Sequence, residues 1–113
     1  MSNYTSFQIG DNKEFAVNGV NDITIYFTKG SGYTSANDTA TEKYFTHQHT
    51  CHRLDIRSDQ TIQIISMNAR IFTDPTTIII NAGHIEKFDA PILNNMVLRT
   101  TVAGQTNIKI RSR

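Results

Sequence analysis

The residues of this chain best equipped for chemistry form one run, Thr46-His47-Gln48-His49-Thr50-Cys51-His52. Alternate residues of a β-strand share a face, so His47, His49 and Cys51 would point the same way. Imidazole nitrogens and a thiolate are good ligands for zinc or iron. A structural zinc site needs four ligands, however, and the remaining histidine, His84, is far away in the sequence. The run is therefore an incomplete candidate metal site.

The strand pattern also supports an interpretation without metal. Leu54 and Ile56 are the apolar, inward positions of the segment that follows, and the alternation continues backward from them. Histidines on a solvent face, or in a subunit contact, are commoner than metal ligands, and we expect no metal and no other cofactor. A third possibility is that symmetry-related copies pool His47 and His49 around an axis. The side chains expected on the solvent face are His47, His49, Arg53, Asp55 and Arg57.

Part of the run resembles a known metal-binding motif. His47-Gln48-His49 resembles the first motif of cupins, small β-barrels that carry a metal, and Gly83-His84 resembles the second. Cupins have a glutamate a few residues after the second histidine, where this chain has Cys51 to Leu54. No Pro-x-Gly precedes His84. The resemblance implies a metalloenzyme, which is the least favoured of the functions considered below.

Composition and motifs favour a protein without catalytic equipment. No serine-nucleophile motif and no glycine-rich phosphate loop occurs, and Cys51 has no activating context beyond its histidine neighbours. The net charge is +1 and tryptophan is absent, so the chain offers neither a strong field nor a stacking platform for nucleic acid. No stretch is apolar enough to span a bilayer. We predict that the protein is not an enzyme and binds neither nucleic acid nor membrane.

The size and polarity of the chain suggest one domain with wet surfaces. Its 113 residues, 38% hydrophobic and 19% charged, are rich in neutral polar side chains, as in strands with one wet face or in surfaces buried against other subunits. Cys51 is the only cysteine, which excludes an internal disulfide. Met1 to Thr5 lack the start of a secretory signal. We expect synthesis and folding in a reducing cytoplasm.

Alternation of apolar and polar residues recurs along the chain and predicts strands. Turn signals such as Asn18-Gly19, Asn81-Ala82-Gly83 and Gly104-Gln105 separate these strands at intervals of about 8–12 residues. The pattern predicts an all-β fold, a single antiparallel β-sandwich of about eight short strands, with jelly-roll or immunoglobulin-like strand order left open. Inward positions predicted by the alternation include Ile23, Ile25, Phe27, Leu54, Ile56, Ile62, Ile64, Ile108 and Ile110.

Two local predictions concern neighbouring strands. Ser58-Asp59-Gln60 joins the alternating segment that ends at Arg57 to residues 61–67 so tightly that an antiparallel hairpin is expected. Ile78-Ile79-Ile80 consists of three β-branched residues, which favours a strand buried on both faces.

The whole chain, residues 1–113, is predicted to form the one domain, with two appendages. Residues 1–12 would be an arm that docks on a neighbouring molecule, and residues 29–41, rich in Gly, Ser, Thr, Asn and Asp, an exposed polar loop.

The order of strands and turns between about residues 52 and 111 resembles small β-sandwich structural proteins of tailed bacteriophages. Those proteins have a strand, an Arg-Ser-Asp type hairpin, a strand ending near Asn, a Pro-led apolar strand, a Gly turn and two closing strands. The resemblance implies a virion component such as a head decoration protein, a neck or tail adaptor, or a baseplate component. The matching segments are Leu54 to Ile64, Met67-Asn68, Asp74-Pro75, Ile78 to Ile80, Ala82-Gly83, Val97 to Thr101 and Gln105 to Ile110.

We therefore predict a homo-oligomeric virion protein, made in the bacterial host cytoplasm, whose partners are copies of itself and other virion proteins. The alternatives are a carbohydrate- or surface-binding β-sandwich, with Tyr26, Tyr33 and Tyr44 as its aromatic platform, and a cupin-like metal-binding protein using His47 and His49. Assembly through the histidines would weaken between about pH 7 and 5 as like charges accumulate. The residues expected at subunit interfaces are His47, His49, Arg53, Arg57, Tyr33, Lys109 and Arg111.

Overall fold

The computed structural model describes residues 11–27, 38–45, 51–73 and 77–112. Regular structure in these residues is entirely β-strand, and they contain no helix able to cross a membrane. The ten strands are β1 (Asp11–Asn18), β2 (Asp22–Tyr26), β3 (Glu42–Tyr44), β4 (Cys51–Ser58), β5 (Ile62–Met67), β6 (Arg70–Ile71), β7 (Ile78–Ile80), β8 (Ile85–Leu93), β9 (Asn95–Thr100) and β10 (Gln105–Ser112).

The strands form two sheets that pack against each other, which confirms the predicted all-β sandwich. Sheet 1 has four strands in the order β1-β10-β4-β8. Sheet 2 has the order β3-β2-β9-β5-β6, and β7 also pairs with β5. Among the described strand pairs only β2 and β3 run parallel. The apolar faces of both sheets meet in a common core.

The strand pairing is nested, as in a long hairpin that has been rolled up. β1 pairs with β10, β2 with β9, β4 with β8 and β5 with β7. Each pair therefore lies, in the sequence, between the two strands of the pair before it. Successive strands of each arm alternate between the sheets, and the roll is closed by the pairs β10–β4 and β9–β5. This is the arrangement of a jelly roll, so the structure decides between the two strand orders left open by the sequence.

The predicted hairpin around Ser58 is wrong. β4 belongs to sheet 1 and β5 to sheet 2, so residues 59–61 cross between the sheets. The backbone of this crossing is held by other strands and turns: Asp59 N–H donates to the Asn107 carbonyl at 3.1 Å, and Gly83 N–H donates to the Ser58 carbonyl at 2.8 Å. Alternation places Leu54 and Ile62 in one core but carries no information about which strand pairs with which.

The prediction that Ile78–Ile80 is buried on both faces is also wrong. Ile80 is fully buried, whereas Ile79 is 56% exposed. The reason is position: β7 is a three-residue strand that pairs only with β5 among the described strands, and its outer side faces solvent. Three β-branched residues favour an extended backbone wherever it lies and do not specify a central strand.

A long insertion interrupts one arm of the rolled hairpin. Tyr26 pairs with Asn95 and Cys51 with Leu93, so residues 27–50 lie opposite the single residue Asn94. The insertion contributes β3, which extends sheet 2 beside β2. Within the predicted polar loop, residues 38–41 are described and exposed, whereas 29–37 lie outside the described residues. The arm predicted for residues 1–12 overlaps the sheet, because β1 begins at residue 11.

The core confirms the positions that the alternation selects. β10 alternates perfectly between exposed and buried residues, with Ile108 and Ile110 inward. Burying each such side chain stabilises the fold by about 1.5–3 kcal/mol relative to leaving it in water. The buried apolar residues are Val17, Ile23, Ile25, Phe27, Phe45, Leu54, Ile56, Ile62, Ile64, Ile80, Leu93, Met96, Leu98, Ile108 and Ile110.

Candidate interaction surface

The outer side of sheet 1 is mostly polar and charged, with the exposed Ile85 of β8 as an apolar residue opposite Arg57. Because side chains alternate across each strand, the residues between the buried positions of β1, β4, β8 and β10 all point outward. We call this surface the charged face. Its residues are Asn12, Glu14, Arg53, Asp55, Arg57, Lys87, Asp89, Asn107, Lys109 and Arg111.

Two cations lie opposite each other in the middle of the charged face. Lys109 of β10 pairs with Arg57 of β4 on one side and with Glu14 of β1 on the other. Directly opposed side chains on antiparallel strands have Cβ atoms about 4.5–5.5 Å apart, and like charges there repel. Among the described residues neither Arg57 nor Lys109 forms an ion pair. With Glu14 on the other side of Lys109, the centre of the face carries two cations and one carboxylate, an excess of one positive charge.

This cation pair separates two surface hollows. One hollow, of about 770 Å³, extends toward the 81–84 turn and is bordered by Glu14, Asp59 and Gly83. The other, of about 280 Å³, is bordered by Asp55, Ile85 and Arg111. Arg57 and Lys109 line both. The side chains thus form a charged ridge with a depression on either side, a relief into which a partner's protruding groups could fit.

Flanking groups on the charged face are held by partners of their own. Arg53 Nε lies 2.8 Å from Asp89 Oδ1, and this hydrogen bond raises the pKa of the Arg53 guanidinium. The Asp59 carboxylate accepts hydrogen bonds from the backbone N–H and the side-chain amide of Asn107, each at 2.8 Å. These bonds, the backbone one first, lower the pKa of Asp59. Both groups are ionised at neutral pH and keep the periphery of the face ordered.

The structure brings together four of the seven interface residues predicted from sequence. Arg53 and Arg57 of β4 and Lys109 and Arg111 of β10 share the charged face, because β4 and β10 are paired neighbours. The other three, His47, His49 and Tyr33, lie outside the described residues.

The candidate metal ligands are only partly placed. Cys51 is the first residue of β4, with its backbone opposite Leu93. His84, in the second cupin-like segment, lies in the exposed turn before β8, where its Nε2 is 3.3 Å from Glu86 Oε1. No group of three or more His, Cys, Asp or Glu residues suited to a metal occurs within the described parts of the chain.

Two of the three tyrosines considered for a sugar platform meet on sheet 2. The rings of Tyr26 and Tyr44 stack with centroids 4.9 Å apart and planes 8° from parallel, so one face of each ring is covered by the other. The Tyr44 hydroxyl donates to Glu42 Oε1 at 2.9 Å, which raises the pKa of Tyr44 to about 12. Tyr33 lies outside the described residues.

Sequence reasoning missed an apolar groove of about 540 Å³ on the outer side of sheet 2. Its floor is formed by Ile65 and Val97, and one wall by Ile71 and Phe72. A β-bulge in β5 places both Ile65 and Ser66 opposite Val97. The adjacent apolar pairs Ile64-Ile65 and Ile71-Phe72 were the available signal, because one member of each pair must leave the core in a strand.

Comparison with known proteins places the chain in no family. No protein-family model and no curated protein matches the chain. A de novo designed double-stranded β-helix, solved in solution by NMR, is similar with a TM-score of 0.47 and 12% sequence identity, over 91% of this chain and 99% of the designed chain.

Proposed function

We propose that this chain is a non-enzymatic structural protein of a tailed-bacteriophage virion and acts through contacts between copies of itself and with other virion proteins. The observation that carries the proposal is the charged face, with Arg57 and Lys109 opposed at its centre and bordered by two hollows. Support for the virion class comes from the resemblance of residues 52–111 to phage structural proteins.

The electrostatics of the charged face favour an acidic contact. Arg57 and Lys109 repel each other in the free chain, so a carboxylate placed between them both gains attraction and relieves the repulsion. Charge complementarity of this kind fixes the register of two surfaces and speeds their encounter. We therefore infer that the partner surface presents Asp or Glu side chains at the ridge.

The two outer surfaces of the sandwich differ in chemistry. Sheet 1 presents charge, whereas sheet 2 presents an apolar groove. Contacts between unlike surfaces are heterologous, and repetition of a heterologous contact around an axis builds a ring. Such a pair of surfaces suits a subunit that grips two different neighbours, as a ring-forming or decorating virion protein does.

The decisive experiment reverses one charge at the ridge. We expect light scattering on a sizing column to give a mass above the 12.7 kDa of one chain, alone or mixed with the products of flanking genes. Arg57→Glu should return the protein to 12.7 kDa, because two acidic surfaces then repel. Ala103→Glu, which adds an acidic side chain in the exposed β9–β10 connection away from both surfaces, is the control and should leave the assembly intact.

Salt dependence and the flanking genes provide two further tests, one of the charged contact and one of the virion assignment. Assembly should weaken as salt rises, since exposed charges are screened over about 10 Å at 0.1 M ionic strength. A 12.7 kDa species under all these conditions, or an assembly indifferent to Arg57→Glu, would refute the proposal. Flanking genes that encode no capsid or tail proteins would refute the virion assignment alone.

A further inference from the structure

The apolar groove of sheet 2 lies beside an open sheet edge. Ile71, on its wall, is 74% exposed, more than the other exposed large apolar side chains among the described residues. β6 and β7 pair with the same side of β5, one after the other, and no further described strand pairs with them. The groove thus combines apolar side chains with a sheet edge that has no further partner among the described strands, and these two features bind an extended peptide.

The groove carries no unbalanced charge, which favours an uncharged segment as its occupant. Arg99 at its margin is neutralised by Asp22, with Nε 2.7 Å from Oδ1 and Nη2 3.1 Å from Oδ2. The remaining lining is neutral, and its polar members are Gln63, Ser66, Thr73 and Thr77. An uncharged segment with alternating apolar residues fits this surface better than a charged one, because no charge then has to be desolvated.

The chain supplies such a segment at its N-terminus. Residues 1–10, which lie outside the described residues, contain no charged side chain, and Phe7 and Ile9 alternate around Gln8. In an extended conformation Phe7 and Ile9 would share a face. We propose that residues 1–10 of one copy dock in the apolar groove of another copy and add a strand beside β6 and β7.

Reach favours a neighbour's groove over the chain's own. Ten extended residues span about 33 Å. β1 lies next to β3, since Lys13 Nζ is 2.6 Å from Asp38 Oδ2 and Lys43 Nζ is 5.2 Å from the centroid of the Phe15 ring. To reach the groove of its own chain, the segment would have to pass from β1 in sheet 1 across β3, β2 and β9 of sheet 2. The distance between packed sheets is about 10 Å and that between neighbouring strands about 5 Å, so this path is about 25 Å long. Too few residues would remain to fill the groove.

A peptide experiment tests the docking directly. The probe is a labelled peptide of residues 1–10, titrated with the full chain carrying Phe7→Ser and Ile9→Ser, which disable its own arm, and followed by fluorescence anisotropy. We expect saturable binding that weakens about tenfold or more with Ile71→Asp, because an apolar contact is lost. Val20→Asp is the matched control: Val20 is 59% exposed in the β1–β2 connection, away from the groove, and its substitution should leave binding unchanged.

A cross-linking experiment distinguishes the two geometries. In a Cys51→Ser background, copies carrying only Phe7→Cys are mixed with copies carrying only Ile71→Cys and treated with a short bismaleimide. A cross-linked dimer of the two kinds supports docking between copies. Cross-links formed only within one chain of the Phe7→Cys, Ile71→Cys double variant would overturn it, as would a peptide that does not bind.

The docking of residues 1–10 rests on the proposed function, because it requires that copies of the chain contact one another. The docked segment and the charged contact can nevertheless fail separately. If the chain assembles through Arg57 and the peptide does not bind, only the docked arm is refuted. If the peptide binds at the Ile71 wall and Arg57→Glu leaves assembly unchanged, the charged face is refuted and the arm stands.

Discussion

The β5–β6 turn contains a residue in a conformation that its side chain disfavours. Asn68 and Ala69 form a two-residue turn with φ of 53° and 67°. Such turns favour asparagine followed by glycine, because both positions need positive φ and glycine alone adopts it without steric cost. Asn68 suits its position, and its Oδ1 accepts a hydrogen bond from Asn94 N–H at 2.7 Å. Ala69 is the strained partner, so Ala69→Gly should stabilise the protein.

The size of the gain follows from two opposing effects. A left-handed backbone costs an L-residue about 1–2 kcal/mol, which glycine removes. Glycine also gives the unfolded chain more freedom, which costs about 0.5–1 kcal/mol. The side chain of Ala69 is exposed, so little packing is lost. The net expectation is a stabilisation of about 0.5–1 kcal/mol, with a rise of several degrees in Tm.

Chemical denaturation followed by circular dichroism measures this difference, with the slope of the unfolding curve unchanged. Ala82→Gly is the matched control: Ala82 is also an exposed turn alanine, but its φ is not positive, and the same change should lower the free energy of unfolding by about 0.5–1 kcal/mol. If both substitutions destabilise equally, the argument from backbone strain at Ala69 is refuted.

Three further predictions concern polar contacts. The buried hydroxyl of Thr100 donates to a backbone carbonyl 2.7 Å away and accepts from a backbone N–H 2.9 Å away in the β1–β2 connection, so Thr100→Val should lower the free energy of unfolding by about 1–3 kcal/mol in urea denaturation. Glu42→Gln should lower the pKa of Tyr44 from about 12, so that tyrosinate absorbance appears at a lower pH in an alkaline titration. The stability that this contact contributes to the fold is fully present below the pKa of tyrosine in the unfolded chain and is lost as pH rises through about 12. Asp59→Asn should destabilise at neutral pH, because the lowered pKa of Asp59 means that its ionised form favours the fold. Acid titration of unfolding should show this difference fading as pH falls below about 4, and a constant difference would contradict the assignment.

The inward and outward positions of most strands could be predicted from sequence, because the period of a strand is two whatever its partner. Ile108 and Ile110 are buried, and Lys109 and Arg111 are exposed, as the alternation of the last strand requires. The pairing could not be predicted in this way. A tight connection such as Ser58 to Thr61 has the same composition whether it turns within one sheet or crosses to the other.

The candidate site shows the same division. That Arg57 and Lys109 face outward follows from their own strands, but their opposition depends on the β4–β10 pairing of residues distant in sequence. The apolar groove was missed because it depends on the bulge that sets Ile65 beside Val97. Both surfaces are products of strand order and register, which local periodicity does not encode.

The position of β10 has a consequence for biosynthesis. This strand pairs on both sides, with β1 and with β4. Until residues 105–112 have left the ribosome, β1 therefore has no strand that connects it to β4 and the rest of sheet 1. Until then β1 and β4 carry unpaired edges, the kind of surface that recruits other nascent chains into aggregates. Formation of sheet 1 is thus expected to wait for β10, and a variant that ends before Gln105 should be caught by chaperones or degraded.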